Sequence, residues 1–391
     1  MIYISSKYNK MDIDQRLATT DFPLPAIREV NMAMHNSGIS LGLGELKSFN
    51  PDRKIITAFT DSLNSGGVNY CPNAGLPELR SSVAESQKLQ DGYSYSVDNV
   101  VVTIGVQNAI YSTVKTLSKL GAKRVLIPEI NFGIYKKIPK EFGLKVETYR
   151  LTEEYGIDIA ALKSQIESDD ILILNTPANP TGWVLSHTEQ KELANVLEDK
   201  LTKGYVISDE IYSRLIYDGE TAISFSAFFE RTIVVNGISK SGAVAGLRVG
   251  WVITRNMNLA KAIVSNNATI ISAPPTANQY AAIPVVRGDT QNTIDGYNKV
   301  LRKNRDVVMP LLSKHSIPFV KPTGSFYLFA DLELFTGSNS KNFCIETAKR
   351  ENGVVVIPGV AFGASSKIRI SLATNMIEEG MHRFVDALMN I

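Results

Sequence analysis

The stretch DILILN, residues 170–175, is a run of apolar residues that Asn175 closes. YVISDE (205–210) and TIVVNG (232–237) repeat the pattern, and continuous Val, Ile and Leu runs of this length are typical of parallel strands buried on both faces. Three earlier stretches of the same kind are NVVVTIG (99–105), KRVLIPE (123–129) and LKVETYR (144–150). Helical segments separate these strands, so the sequence predicts an α/β fold with a mostly parallel central sheet flanked by helices.

One of the connecting segments is SHTEQKELANVLEDKL (186–201), and Ser186 with Glu189 forms a capping box that marks the start of a helix. After about residue 285 a long charged helix leads to three short strands. They are SFYLFADL (325–332), GVVVIPG (353–359) and KIRISLA (367–373). This mixture predicts a small α+β domain. We expect a large domain over residues 46–285, and a small domain formed by residues 1–45, with an N-terminal arm, and 286–391.

The composition excludes several classes of protein. The chain has 41 basic and 39 acidic residues, a net charge of +2, and 44% hydrophobic residues, which argues against a disordered chain. The basic residues are scattered, so we expect no nucleic-acid partner. Two cysteines and four separated histidines predict no metal site and no disulfide framework. Neither a signal peptide nor a membrane-spanning stretch is found, so we expect a cytoplasmic protein with no membrane contact.

Polar residues follow three of the predicted strands where each strand ends. In an open α/β sheet, ligands bind outside the carboxyl ends of the strands. After DILILN comes NPTG (179–182), after YVIS comes Asp209 with Tyr212 three residues later, and after TIVVNGI come Ser239 and Lys240, followed by Arg248. An amide, a carboxylate, a phenol, an amine and a guanidinium are therefore expected at one edge of the sheet.

These motifs, in this order, resemble those of the fold-type I pyridoxal-5′-phosphate enzymes, specifically the class I/II aminotransferases that include the aspartate and aromatic aminotransferases. The resemblance covers nearly the whole chain, from about residue 22 to the end. Further matching positions are Tyr70, Gly105-Val106-Gln107, Phe132, GSFYLF (324–329), PGVAFG (358–363) and Arg369. The resemblance implies the fold-type I transferase architecture and pyridoxal 5′-phosphate as the cofactor.

The resemblance also assigns three catalytic residues. Lys240 forms a Schiff base with the cofactor and moves the substrate proton, for which its amine must be neutral near physiological pH; burial and a neighbouring cation can arrange this. Asp209 keeps the pyridine nitrogen protonated through a charge-assisted hydrogen bond. Tyr212, together with Asn179, donates to the phenolic oxygen of the ring. The structural alternatives are a helix N-cap for Asp209 and plain core packing for Tyr212.

The remaining cofactor contacts concern the phosphate and the ring face. Gly105, Val106 and Gln107 stand at a strand-to-helix junction, where free backbone N–H groups favour an anion. Ser239 adds a hydroxyl, and Arg248 adds a planar fork that suits a phosphate. The resemblance implies that Phe132 stacks on the ring and that Tyr70 reaches the phosphate of the cofactor in the partner subunit, so that a homodimer completes the site.

Arg369 lies in KIRISLA, where strand alternation turns it away from Ile368 and Ile370. The resemblance makes it the residue that binds the α-carboxylate of the substrate; the alternative is an exposed arginine on an edge strand. Asn179 and the backbone near Gly44 are expected beside it, and the Asn179–Pro180 peptide is expected to be cis. Some relatives that act on acidic amino acids carry Lys at the position of Gln107, which weakens a dicarboxylate preference here.

The sequence therefore predicts an aminotransferase that moves an amino group between an L-amino acid and a 2-oxo acid by a ping-pong cycle. A lyase, or an eliminating or cyclising enzyme of the same fold, stays open, because the same residues would stabilise a carbanion whatever its fate. A cofactor-binding regulatory module without turnover is disfavoured, because about 40 residues before the core of the match cannot hold a DNA-binding domain, and a basic patch is missing.

Overall fold

The computed structural model describes residues 13–14, 25–219 and 222–391 of the chain. The expectations for the N-terminal arm and for a missing signal peptide fall mainly on residues 1–12 and 15–24, outside the described residues. None of the described helices is long and apolar enough to cross a membrane.

The strands are, in chain order, β1 (Ile39–Ser40), β2 (Val100–Thr103), β3 (Arg124–Pro128), β4 (Lys145–Tyr149), β5 (Ile171–Asn175), β6 (Tyr205–Asp209), β7 (Thr232–Gly237), β8 (Gly250–Thr254), β9 (Tyr327–Asp331), β10 (Val354–Val355), β11 (Ile357–Pro358) and β12 (Lys367–Ser371). The α-helices are α1 (Ala26–Met32), α2 (Arg53–Asn64), α3 (Pro77–Asp91), α4 (Gly105–Lys119), α5 (Ile134–Glu141), α6 (Ile159–Gln165), α7 (His187–Lys200), α8 (Met257–Ile271), α9 (Thr276–Val286), α10 (Gln291–Lys314), α11 (Glu333–Thr336), α12 (Ser340–Lys349) and α13 (Ile377–Met389).

The large sheet has seven strands in the order β2-β8-β7-β6-β5-β3-β4. Strand β8 is antiparallel to both of its neighbours, whereas the pairs formed by β3 to β7 are all parallel. The mostly parallel sheet is thus confirmed, and each predicted strand before residue 240 is present. Strand β8 was not predicted, because GWVIT is a short apolar run that directly follows the glycine-rich stretch SGAVAGLRV.

Helices cover both faces of this sheet, and its central strands β5, β6 and β7 are accordingly apolar on both faces. In β5, Ile171 and Ile173 pack in the core that contains α4, α5 and α8, whereas Leu172 and Leu174 pack against α6 and α7. The capping box at the start of α7 forms as expected, with the Ser186 hydroxyl accepting from the Glu189 backbone N–H. The crossover helices therefore fix the direction of the parallel strands and bring their carboxyl ends to one edge.

Residues from both ends of the described chain pack together in a hydrophobic core that is separate from the cores around the large sheet. Strand β1 pairs in parallel with β10, and β9, β12 and β11 form an antiparallel sheet with β12 in the middle. The predicted strand GVVVIPG is divided at Val356 into β10 and β11, which pair with different partners. Side chains near residue 212 also enter this core, and the domain boundaries given above stay a prediction.

Candidate active site

A cleft of about 1530 Å³ opens where the parallel strands of the large sheet end. It brings together most of the side chains that the sequence singled out. The predicted residues on its wall are Gly44, Val106, Gln107, Phe132, Asn179, Asp209, Tyr212, Ser239, Lys240, Arg248 and Arg369. Gly105 lies directly behind the guanidinium of Arg248. Tyr70 is 92% exposed and is not part of the wall in this single chain.

Lys240 follows strand β7 and reaches into the cleft. Its Nζ lies 2.5 Å from the carbonyl oxygen of Gly44 and 5.9 Å from the centre of the Tyr212 ring. Burial, with the positive charges of Arg369 and Arg248, lowers the pKa of Lys240 to about 8. A sizeable fraction of this amine is therefore neutral near pH 8, and a neutral amine is a nucleophile and a base.

Asp209 is the last residue of β6 and is 3% exposed. Its carboxylate accepts a hydrogen bond from the Tyr135 hydroxyl at 2.7 Å and one from the Ile211 backbone N–H at 3.2 Å. A turn follows Asp209 rather than a helix, so the N-cap alternative does not apply. Burial raises the pKa of Asp209 to about 6, and the two hydrogen bonds limit the rise.

Asn179 is held by the residue that ends β5. The side chain of Asn175 accepts from the Asn179 backbone N–H at 2.8 Å and donates to the Asp209 carbonyl at 3.0 Å. Asn175 therefore shapes the loop that carries Asn179. The Asn179–Pro180 peptide is cis, which confirms that expectation, and the Thr176–Pro177 peptide is cis as well.

Arg369 lies on the central strand of the small sheet and is 2% exposed, which excludes the exposed edge-strand alternative. Its guanidinium donates to Asn179 Oδ1 and to the Gly42 carbonyl, each at 3.0 Å. The guanidinium carbon lies 4.1 Å from the Tyr327 ring centre and 4.9 Å from that of Phe362. Its Nε is buried without a protein partner, which leaves a donor for an anionic ligand.

Gly105, the first residue of α4, has φ +71°, and a Cβ on it would lie 2.7 Å from Nη2 of Arg248. The free backbone N–H groups at the start of this helix thus adjoin a guanidinium. The Asn108 side chain accepts from the Ile104 backbone N–H at 3.0 Å and fixes this end of the helix. Ser239, also on the cleft wall, is 6% exposed. This donor set suits a phosphate dianion.

Two tyrosines that the sequence did not single out belong to this site. Tyr135, which holds Asp209, lies three residues after Phe132, and the two rings meet edge to face at 6.1 Å. Tyr327 lies on the cleft wall, with its hydroxyl 3.3 Å from that of Tyr212. The aromatic spacing after Phe132 was the available signal for Tyr135, and GSFYLF contained Tyr327 without distinguishing it from core.

The family model "Aminotransferase class I and II" matches residues 36–388 of the chain. The chain belongs to this family. It is 35% identical to the aspartate aminotransferase of Pyrococcus abyssi over 366 residues, covering 90% of this chain and 91% of the relative. It is 33% identical to aromatic-amino-acid aminotransferase 2 of Thermococcus litoralis, covering 90% and 91%. An aspartate aminotransferase double mutant of Thermus thermophilus has the same fold, with a TM-score of 0.87 and 25% identity over 97% and 100% of the two chains.

The protein is thus a pyridoxal-5′-phosphate-dependent aminotransferase with the fold-type I architecture, which confirms the predicted family, fold, enzyme class and cofactor. The cleft of this aminotransferase fits the cofactor in three respects. A lysine with a lowered pKa lies at its centre, a buried carboxylate lies at the end of β6, and a helix N-terminus adjoins the Arg248 guanidinium. The unpartnered Nε of Arg369 is a separate hydrogen-bond donor of the kind that binds a carboxylate.

Proposed function

We propose that this aminotransferase transfers an amino group from an L-amino acid to a 2-oxo acid in two half-reactions at one site. The observation that carries the proposal is the single cleft that holds the Lys240 amine and the buried Arg369 guanidinium. Arg369 binds the α-carboxylate through its free Nε, and Asn179 keeps the guanidinium in position. Among the relatives, the printed names include aspartate and aromatic aminotransferases, so both substrate classes are to be tested.

When bound, the cofactor supplies an electron-withdrawing ring that stabilises negative charge at the substrate Cα. Lys240 would hold the cofactor covalently and, as a free amine, would take the proton from the substrate Cα. Asp209 would hold the ring nitrogen, and Asn179 and Tyr212 would hold the ring oxygen, by hydrogen bonds. The N-terminus of α4 at Gly105, Val106 and Gln107, with Ser239 and Arg248, would bind the phosphate, and Phe132 would cover the ring face.

The proposal includes a homodimer and a cytoplasmic location. The phenol of Tyr70, exposed in the single chain, would enter the partner subunit's site and lie beside the phosphate of the cofactor bound there. Both cysteines, Cys71 and Cys344, are free and buried, which suits a reducing compartment.

The visible absorption of the lysine-bound cofactor provides the test. We expect the purified protein to show this absorption, Lys240→Ala to lack it, and Lys314→Ala, at the exposed end of α10, to keep it. Addition of an L-amino acid without an acceptor should bleach the absorption and release one equivalent of 2-oxo acid. Release of ammonia would favour the lyase, and no response to any amino acid would refute both enzyme assignments.

A further inference from the structure

Tyr327, the first residue of β9, touches both functional halves of the cleft. Its hydroxyl lies 3.3 Å from the Tyr212 hydroxyl, and its ring centre lies 4.1 Å from the guanidinium carbon of Arg369. The side chain is 1% exposed, so neither contact is made by a mobile surface group. No role given to the site so far requires a phenol at this position.

The register of the small sheet explains the contact with Arg369. On β9, Phe329 lies directly opposite Arg369, and Tyr327 is two residues earlier on the same face. A residue in that diagonal position is within reach of a long side chain on the neighbouring strand. Phe362 packs against the guanidinium at 4.9 Å as well, so two aromatic rings confine it. A cation held over a ring in this way gains electrostatic attraction that grows as water is excluded.

The contact with Tyr212 involves the hydroxyl alone. A phenol has one hydrogen to donate, and its oxygen can accept as well. When Tyr327 donates to Tyr212, the single hydrogen of Tyr212 is left for an oxygen atom in the cleft. The Tyr212 ring also meets Phe326 edge to face at 5.5 Å, which limits its other orientations.

We propose that Tyr327 is a positioning residue that orients Tyr212 through its hydroxyl and Arg369 through its ring, and so links cofactor binding to carboxylate binding. The proposal rests on the proposed function, because Tyr212 and Arg369 are given their ligands there. It predicts that loss of the hydroxyl alone has one measurable effect, and that loss of the ring as well adds a second, different effect.

The first variant is Tyr327→Phe, which removes the hydroxyl and keeps the ring. A hydrogen bond donated to the ring oxygen of the cofactor favours its deprotonated form, so a weaker bond moves the absorption titration to higher pH. We expect the midpoint of the absorption titration of the lysine-bound cofactor to rise by about half a pH unit in Tyr327→Phe. The rise should be smaller than in Tyr212→Phe, because the hydrogen bond from Tyr212 is weakened rather than lost. The KM for the amino acid should stay within about twofold of the wild type, since the ring still packs on Arg369.

The second variant is Tyr327→Leu, which removes both contacts, and its matched control is Phe362→Leu on the other ring beside Arg369. We expect Tyr327→Leu to shift the titration as Tyr327→Phe does and also to raise KM by about five- to thirty-fold. Phe362→Leu should raise KM without moving the titration. If Tyr327→Leu does not fold, Tyr327→Phe and Phe362→Leu still separate the two effects.

A wild-type titration midpoint in Tyr327→Phe would overturn the proposal, and so would an unchanged KM in folded Tyr327→Leu. A shifted titration in Phe362→Leu would also overturn it, because the shift would then not depend on the hydroxyl. Failure of the proposed function looks different: the wild type itself would lack the visible absorption or its response to amino acids.

Discussion

The carboxylate of Asp209 shows how a buried acid can stay ionised enough to work. Burial alone favours its protonated form and raises the pKa to about 6, while the Tyr135 hydroxyl at 2.7 Å opposes that rise. Since the proposed role requires the carboxylate form, the phenol of Tyr135 helps to set the lowest pH at which the cofactor is held well.

Tyr135→Phe should therefore raise the pKa of Asp209 further and weaken cofactor binding on the acid side. We expect the pH below which the cofactor dissociation constant rises to move upward by about one unit. The measurement is the dissociation constant of the cofactor over about pH 5 to 8. Tyr149→Phe is the control, because Tyr149 is equally buried but donates to the Ile173 carbonyl instead. Identical pH profiles for the wild type and Tyr135→Phe would contradict the assignment.

At the scale of residues, the sequence indicated the polar side chains that line the cleft but not Tyr135 and Tyr327. Asp209 and Lys240 stand directly after apolar runs, where a charged side chain has no packing reason to be. Tyr135 and Tyr327 are buried aromatic residues, and the sequence does not distinguish a ring that packs in the core from one that also holds a catalytic group. Arg369 was predicted on strand alternation, but its confinement between two rings depends on the register of β9 and β12.

At the scale of elements, the junction between β2 and α4 depends on a residue without a side chain. Gly105 has φ +71°, and its Cα faces the guanidinium of Arg248. The backbone of Arg248 also has a positive φ, of +53°. Both close approach and backbone conformation therefore favour glycine at this position.

Gly105→Ala should displace Arg248 and strain the start of α4. We expect cofactor affinity to fall about tenfold or more and stability to fall by about 1–2 kcal/mol. Gly246→Ala, in the turn just before Arg248, is the control because a Cβ there meets no atom within 4 Å. Cofactor titration and urea unfolding measure the two effects. A Gly105→Ala variant that binds the cofactor as tightly as Gly246→Ala does would contradict this role of Gly105.

Glu210, directly after β6, binds to residues 224–225, which lie just after the gap between residues 219 and 222 in the described chain. Its Oε1 accepts from the Ser208 and Ser224 hydroxyls and from the Phe225 backbone N–H. Burial raises the pKa of Glu210 from 4.5 to about 7. The folded state therefore prefers the protonated acid, and the resulting stability is fully present below about pH 4.5 and is lost as pH rises through 7.

Glu210→Gln should remove this dependence, because glutamine stays neutral. Relative to the wild type, the cofactor-free variant should gain about 2–3 kcal/mol of unfolding free energy between about pH 4.5 and 8. Urea unfolding at both pH values measures the difference. A difference between the two proteins that does not change with pH would show that Glu210 is already ionised in the folded state.

The elements themselves were largely predictable, and the exception has a physical cause. Strands β5, β6 and β7 are recognisable in the sequence as continuous apolar runs, because helices cover both faces of the sheet. Strand β8 is also buried, but it follows a glycine-rich turn, and its direction depends on where β2 and β7 leave room for it. Such placement is decided by tertiary packing rather than by local pattern.

At the scale of the whole molecule, the proposed dimer can be tested by mixing two inactive subunits. If Tyr70 acts on the partner subunit's site, a chain with Tyr70→Ala and a chain with Lys240→Ala form one intact site in a mixed dimer, built from Lys240 of the first and Tyr70 of the second. We expect each variant alone to be strongly impaired. A mixed dimer should have about half of the wild-type activity, so a co-expressed mixture with random pairing should regain about a quarter. Sedimentation of the wild type as a monomer, or no recovery on mixing, would contradict the shared site.

The pairing of β1 with β10 constrains the order in which the parts of this enzyme fold. It joins residues 39–40 to residues 354–355, so the partner strand is synthesised more than 300 residues after β1. The strands of the large sheet are all available about a hundred residues earlier, and contacts between distant segments form late because their loops are costly to close. We therefore expect the wall that carries Gly44 to form after the large sheet, so that Lys240 lies in an incomplete cleft until β10 pairs with β1.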